Sequence, residues 1–478
     1  MLKLNSFALR RCCTHRTTSR RKTSEMTTIA SKIFSRYSST VSSGVEDEFE
    51  ALFQETIDAQ NKVHDKERKV IEETATSDEV FEKFNYKVLP SVYDSSSDLP
   101  KEPMSTAYNA SDHFSFHATE ILHKFYQVPK NDYEKYFGNG LLVSAMQASD
   151  AKVFNKLCLM IRKPSLEAIH YVSHVNLEKP PTKILFHGKI GSGKTSCLMH
   201  LQHYACTENY LVIPITDLRN TLHGWQEVLF ESDEDGNIDM NAKGHQPDKA
   251  VQWISQLLAV EPTKEYLAKL TTNQEYIWGV DEVSTNGSTL LSLCEFAKQR
   301  PRRASKIAAV VIDEIIRLAN EGTVKVAVIV DEVQRLFGRS PILDPRVFSK
   351  PFGERVENRD SIRKLKAEEL ELVCGFRKLL DKNWKNGVVI ASVRASELKP
   401  LDITPRSILG IDAFNYLMPF IPIEVPNYNK DELRNQIAFF RDQKWLQTEN
   451  IETQEQIEQL SFLSNRNPAR LYDICCLL

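Results

Sequence analysis

The 478 residues, 41% hydrophobic and 26% charged, have the composition of a globular protein with room for two or three domains. The net charge of −3 hides an asymmetry: residues 1–43 carry nine Lys or Arg against Glu25 alone, which leaves 52 basic and 63 acidic residues and a charge of −11 on the rest. No apolar run reaches the roughly 18–20 residues that a membrane-spanning helix needs, and the nine cysteines form no CxxC pair or zinc spacing, so they read as free thiols in a reducing compartment.

The basic stretch is also rich in Ser and Thr. Ile29, Ile33, Phe34 and Tyr37 share one helical face, with Lys32 and Arg36 at its edge. That pattern predicts a mitochondrial transit peptide over residues 1–43, cut near Tyr37-Ser38-Ser39; the alternative is a basic arm for nucleic acid. Residues 44–114 read as a charged and polar arm. Phe49, Leu52, Phe53 and Ile57 suggest an amphipathic helix there, and a Ser-Asp-Pro linker follows at residues 95–100. Residues 115–180 form a lead-in segment, in which Pro164, then Leu166, Ile169 and His170, predict a helix start.

The strongest motif follows. Gly188-Lys189-Ile190-Gly191-Ser192-Gly193-Lys194-Thr195 fits G-x-x-x-x-G-K-[ST] at every fixed position. Its glycines let backbone N–H groups surround a phosphate, Lys194 reaches the β/γ-phosphates, and Thr195 offers a hydroxyl to Mg²⁺. A β-leaning run, residues 182–187, precedes it. Leu198, Leu201 and Tyr204 at helical spacing follow it, which is the strand–loop–helix context the motif requires. Further strands are predicted at residues 210–215, 324–330 and 387–393, with a helix over 307–318 and an exposed acidic loop at 231–237. Apolar strands alternating with helices predict an α/β, doubly wound parallel sheet over residues 181–425. Residues 426–478 read as a helical C-terminal part, broken at Asn450 and at Asn465-Arg466-Asn467-Pro468.

Asp331 ends the apolar run from Val324 and is the expected Mg²⁺-side acid opposite Thr195. Glu332 has two readings: polarising an attacking water, or pairing with Arg335 or Arg339. Ser392 ends the next strand as a candidate sensor of phosphate or water. Guanine-specific GTPases usually carry Asn-Lys-x-Asp. The nearest approach, Asn429-Lys430-Asp431-Glu432, mismatches, and Asn429 reads better as a helix N-cap. These residues leave ATP and GTP both open. Two basic clusters, Lys298, Arg300, Arg302, Arg303 and Lys306, and then residues 346–366 with Arg363, Lys364 and Lys366, could clamp RNA phosphates or form solvated surface.

Several separated segments resemble one family. They are Phe125-Tyr126-Gln127-Val128-Pro129-Lys130, residues 159–172 with Arg162-Lys163-Pro164, the 188–195 loop, residues 414–446 (FNYLMPFIPIEVPNYNKDELRNQIAFFRDQKWL), and Phe462-Leu463-Ser464-Asn465-Arg466-Asn467-Pro468. Order and spacing over about residues 115–478 are similar to death-associated protein 3, the GTP-binding protein of the mitochondrial small ribosomal subunit. The resemblance implies an AAA+-like P-loop NTPase domain with a helical C-terminal part. It implies bound GTP or GDP with Mg²⁺, small-subunit protein neighbours, large-subunit proteins across the interface, and a link to apoptosis in animals, while the charge of −11 outside residues 1–43 limits the expected rRNA contact to the basic clusters. It carries residues 188–195 over as the phosphate site and Asp331 as the Mg²⁺-side acid. It sets Arg470 where some AAA+ relatives touch phosphates. Three functions are then in play: a structural ribosomal protein that holds its nucleotide, an active mitochondrial NTPase, and an apoptosis-linked signalling adaptor.

Overall fold

The structure, a computed structural model, describes residues 121–138, 145–223, 227–231, 242–279, 282–344, 363–394, 404–446 and 453–477. The transit peptide, the 44–114 arm, most of the acidic loop, the break at Asn450 and residues 346–362 of the second basic cluster lie outside these residues. None of the described helices is long and apolar enough to cross a membrane.

A short antiparallel pair opens the described chain: β1 (Phe125–Gln127) against β2 (Cys158–Met160). Helix α1 (Lys163–Ser173) follows, with Pro164 in its first turn, where a missing N–H costs nothing. Strand β3 (Thr182–His187) runs into the glycine loop and then α2 (Lys194–Thr207). After β4 (Leu211–Ile215) come α3 (Pro247–Ala259), α4 (Leu290–Gln299) and α5 (Pro301–Asn320), which feed β5 (Val326–Val330). Helix α6 (Glu371–Leu379) leads to β6 (Gly387–Ser392), and β7 (Ile421–Glu424) completes the sheet. Three C-terminal helices, α7 (Lys430–Asp442), α8 (Gln454–Ser464) and α9 (Pro468–Cys475), end the fold.

The central sheet is parallel throughout, in the order β7-β3-β6-β5-β4. Successive strand residues point to opposite faces, and both faces are covered. Ile184 and Phe186 of β3, Ile329 of β5 and Ile390 of β6 pack with α1, α2 and the β1–β2 pair. Leu185, Val328 and Val389 pack with α3 to α6. This two-sided burial explains the uninterrupted apolar runs. On the second face α5 and α6 approach closely: a Cβ on Gly375 would lie 3.0 Å from Ile312 Cδ1.

Two elements differ from the sequence expectation. Helix α5 starts at Pro301, six residues before the apolar periodicity, so Arg302, Arg303 and Lys306 ride on its first two turns. Strand β7 contains Pro422, which masks it in the sequence. Its place at the sheet edge lets proline forgo one ladder bond.

Register decides what meets at the sheet's carboxyl edge. Ala391 lies opposite both Leu185 and Val330, and Glu424 lies opposite His187. The residues that follow β3 and β5, Gly188 and Asp331, therefore sit at one edge with Ser392. Leu201, fully buried on α2, fixes that helix against the sheet. Leu201→Ala should cost about 2–5 kcal/mol in chemical denaturation; an unshifted midpoint would contradict this packing.

Candidate functional site

The loop between β3 and α2 takes its shape from glycine. Gly188, Gly191 and Gly193 have φ of 140°, 77° and 100°, backbone that side chains rarely adopt. Space is equally restrictive: a Cβ on Gly188 would stand 2.4 Å from the Val425 carbonyl oxygen, and one on Gly191 would stand 2.6 Å from Asn467 Oδ1. Within the loop the Ser192 hydroxyl is buried and has no hydrogen-bond partner among the described residues. The first N–H groups of α2 have no acceptor within the helix, and its dipole places positive potential at that end. An anion at the loop would answer these features together.

Lys194 folds back over the loop, its Nζ donating to the carbonyls of Gly188 at 3.0 Å and Lys189 at 2.7 Å. Burial pushes this ammonium down to about 8, and Arg394 adds to that effect, while Asp331 and Glu332 oppose it. Thr195 Oγ1 donates to Asp331 Oδ2 at 3.0 Å. Asp331 Oδ1 accepts from the Ser392 hydroxyl and, at 3.1 Å, from Glu332 N–H. Burial raises the Asp331 carboxyl in spite of these donors. A hydroxyl and a desolvated carboxylate in contact suit a hard divalent cation such as Mg²⁺.

Glu332 itself is held by two arginines. Its backbone is left-handed, at φ 56°. One carboxylate oxygen accepts from Arg335 Nε and the other from Arg394 Nη1 at 3.0 Å. Burial alone would raise this carboxyl, but the two guanidinium groups outweigh burial and hold it below the usual range. Of the two partners expected for Glu332, Arg335 is present. Arg394 takes the place expected for Arg339, which lies on a peripheral strand, Arg339–Leu343.

A cavity of about 870 Å³ runs from Ile190, Gly191, Gly193, Lys194 and Thr195 past Asp331, Glu332, Ser392 and Arg394 to the C-terminal helices, a size suited to a small-molecule ligand. Phe125, Phe154, Phe439, Phe440 and Tyr472 border its far end, and Phe125 stacks on Phe439 at 4.2 Å. The C-terminal part touches the loop directly. Asn467 Nδ2 donates to the Ile190 carbonyl at 2.8 Å, and Ala469 N–H donates to the Gly191 carbonyl at 3.1 Å.

Arg470 does not join this contact. Its side chain is exposed, and its backbone N–H donates to Asn467 Oδ1 at 3.2 Å. At 100° per residue, the first turn of α9 that aims Pro468, Ala469 and Tyr472 at the cavity turns Arg470 away. The basic candidates also stand apart from the cavity, and many are paired. Arg300 binds Glu282, Arg303 and Lys306 share Glu231, Arg363 binds Glu369, and Lys366 binds Glu368. Lys298 and Arg302 flank the first cluster on exposed positions, as Lys364 does the second.

Sequence reasoning gave no role to Arg162, whose buried guanidinium organises the loop. Nη1 donates to the Ser192 carbonyl at 2.7 Å, Nε to Glu432 Oε1 at 2.8 Å, and Nη2 to Glu432 Oε2 at 3.2 Å and the Pro426 carbonyl at 2.9 Å. It also lies 5.0 Å above the Tyr428 ring. A charged residue directly after the apolar stretch 157–161 was the available signal. Removing Arg162 strands a buried carboxylate, so Arg162→Met should cost about 3–5 kcal/mol, and adding Glu432→Leu should return most of it. Urea midpoints of the two variants check this, and a single variant as stable as the wild type would remove the tie.

The profile of the family described as "Mitochondrial ribosomal death-associated protein 3" matches residues 159–474. Small ribosomal subunit protein mS29 of Bos taurus is 29% identical over 365 residues, 76% of this chain and 86% of that protein. The Mus musculus protein of the same name is 29% identical over 386 residues, 80% of this chain and 92% of that one. Among solved structures, AMPPCP-bound DnaA from Aquifex aeolicus is 14% identical over 66% of this chain and 60% of its own, with a TM-score of 0.26. A score that low carries no weight for the fold, which rests on the strand order described above.

Proposed function

The chain belongs to the mitochondrial ribosomal death-associated protein 3 family, and on that premise we propose that it is a structural component of the mitochondrial small ribosomal subunit that holds a guanine nucleotide. The observation that carries the reading is the clamp on Glu332 by Arg335 and Arg394, beside a glycine loop and a Thr195–Asp331 pair fit for phosphate and Mg²⁺. A carboxylate bound on both oxygens by arginine is poorly placed to draw a proton from water. The site reads as one that keeps its ligand. AAA+-like architecture is part of the proposal: β6, with Ser392 at its end, lies between the loop-bearing strand and the Asp331 strand.

In this reading residues 188–195 cradle the phosphates, and Lys194 leaves its loop carbonyls to meet them. Thr195 and Asp331 hold Mg²⁺, whose contribution is to neutralise phosphate charge. Guanine over adenine rests on the family, since no Asn-Lys-x-Asp motif is present. Asn429 instead caps α7, its Oδ1 accepting from Glu432 N–H at 2.7 Å. A ligand that binds only the native state stabilises it by about 4 kcal/mol at a thousandfold excess over Kd. Because the ligand spans the loop and the C-terminal helices, that stabilisation would be felt at both. The charge of −11 outside residues 1–43 favours docking on proteins, with rRNA contact confined to the two basic clusters.

Lys194→Ala should abolish the nucleotide-dependent rise in Tm and lower incorporation into the small subunit, read by density fractionation of mitochondrial lysate. Full assembly of a nucleotide-free variant would sink the structural-ligand reading. Purified protein should release guanine nucleotide on denaturation yet turn over neither GTP nor ATP. Turnover that Glu332→Gln abolishes would establish an NTPase instead.

A further inference from the structure

We propose that Gln436 selects guanine over adenine, by donating its side-chain amide to the six-position oxygen of the base. The inference rests on the guanine-nucleotide reading above and assigns the base contact that the missing Asn-Lys-x-Asp motif would otherwise supply. With the phosphates held by residues 188–195, the rest of the nucleotide extends along the cavity toward the C-terminal helices. There α7 brings Gln436, Phe439 and Phe440 to the cavity; a spacing of i, i+3 and i+4 puts them on one helical face. Phe439, stacked on Phe125 at 4.2 Å, makes this end of the cavity flat and apolar, as a purine ring requires.

The amide is not free to turn. The Tyr428 hydroxyl donates to Gln436 Oε1 at 2.9 Å, and both residues are buried. Burial pushes the Tyr428 phenol up, so it keeps the proton it donates. Tyr428 is placed in turn by Arg162, whose guanidinium lies 5.0 Å above its ring and also bonds the Ser192 carbonyl. A chain of contacts therefore runs from the phosphate loop to the amide. With Oε1 engaged, Gln436 brings Nε2 to the cavity, and among the described residues Nε2 has no hydrogen-bond partner. An amide donor left unpaired in a buried site is costly, and an acceptor on the ligand removes that cost. Guanine offers its O6 as an acceptor, where adenine carries the N6 amino group, itself a donor. One base completes the amide, while the other sets donor against donor, which is how a polar site rejects a close analogue.

Calorimetric titration of the full chain with GDP, IDP, ADP and the diphosphate of 2-aminopurine riboside tests this in wild type, Gln436→Met and Tyr428→Phe. Hypoxanthine keeps the six-position oxygen without the amino group of guanine, and 2-aminopurine keeps that amino group without the oxygen. Wild type should bind GDP and IDP about tenfold more tightly than the other two. Gln436→Met should lose the gap through weaker GDP and IDP binding, with ADP bound no more weakly. Tyr428→Phe releases the amide to turn, and should narrow the gap through tighter ADP binding instead. Wild type that prefers GDP but binds IDP as weakly as ADP overturns the role of Gln436 and leaves the guanine reading standing. So does a Met variant that keeps the preference or weakens all four ligands alike. Wild type that binds no nucleotide, or adenine as well as guanine, overturns the guanine-nucleotide reading and this inference with it. Should Gln436→Met lose its circular dichroism, Tyr428→Phe decides: tighter ADP binding supports the role, and an unchanged gap overturns it.

Discussion

One buried ion pair joins three parts of this chain. Arg162 lies just before α1, Ser192 in the glycine loop and Glu432 in the first turn of α7, and a single guanidinium bonds the last two. Burying two charges is expensive, and such a pair adds little net stability over apolar residues of equal size. Its effect is on geometry. The planar fork admits one arrangement of Glu432, and that carboxylate also closes the capping box that begins α7. The helix start, the loop carbonyl and the lead-in segment are thereby fixed to one another. A Cβ on Gly193 would come within 3.2 Å of Arg162 Nη1, so the glycine pattern of the loop answers to this arginine as well as to its left-handed backbone.

The consequences spread along the loop. Val425 presses on Gly188, Asn467 holds the Ile190 carbonyl, and Ala469 holds that of Gly191. A loop that would otherwise be free is shaped from outside by the C-terminal helices. The shape of the loop and the placement of those helices are therefore coupled through hydrogen bonds.

Two neighbouring carboxylates show how environment divides roles. Burial raises Asp331, while Arg335 and Arg394 hold Glu332 down against burial. In many catalytic sites carboxylates pushed apart in this way serve as acid and base. Here the lowered member is clamped by two arginines, and the raised one accepts from Thr195 and Ser392. Charges elsewhere follow a different logic. Among the described residues, Arg300, Arg303 and Lys306 of the first basic cluster and Arg363 and Lys366 of the second are answered by neighbouring acids.

The sequence by itself determined what short-range chemistry dictates. Residues 188–195 need glycine at left-handed positions, Asp331 ends an apolar strand, Asn429 caps a helix, and alternating strands and helices require a sheet covered on both faces. Each of these follows from backbone preference or periodicity over a dozen residues. Tertiary structure alone decided the partners. Arg162 meets Glu432 across 270 positions, Asn467 meets Ile190 across 277, and Arg394 meets Glu332 across 62. Strand β7 hides behind a proline until its edge position is known, and Arg470 looks apt until the helix turn points it to solvent. The physical reason is the same throughout: a local conformation is encoded in neighbouring residues, whereas a side chain's partner depends on how whole elements pack.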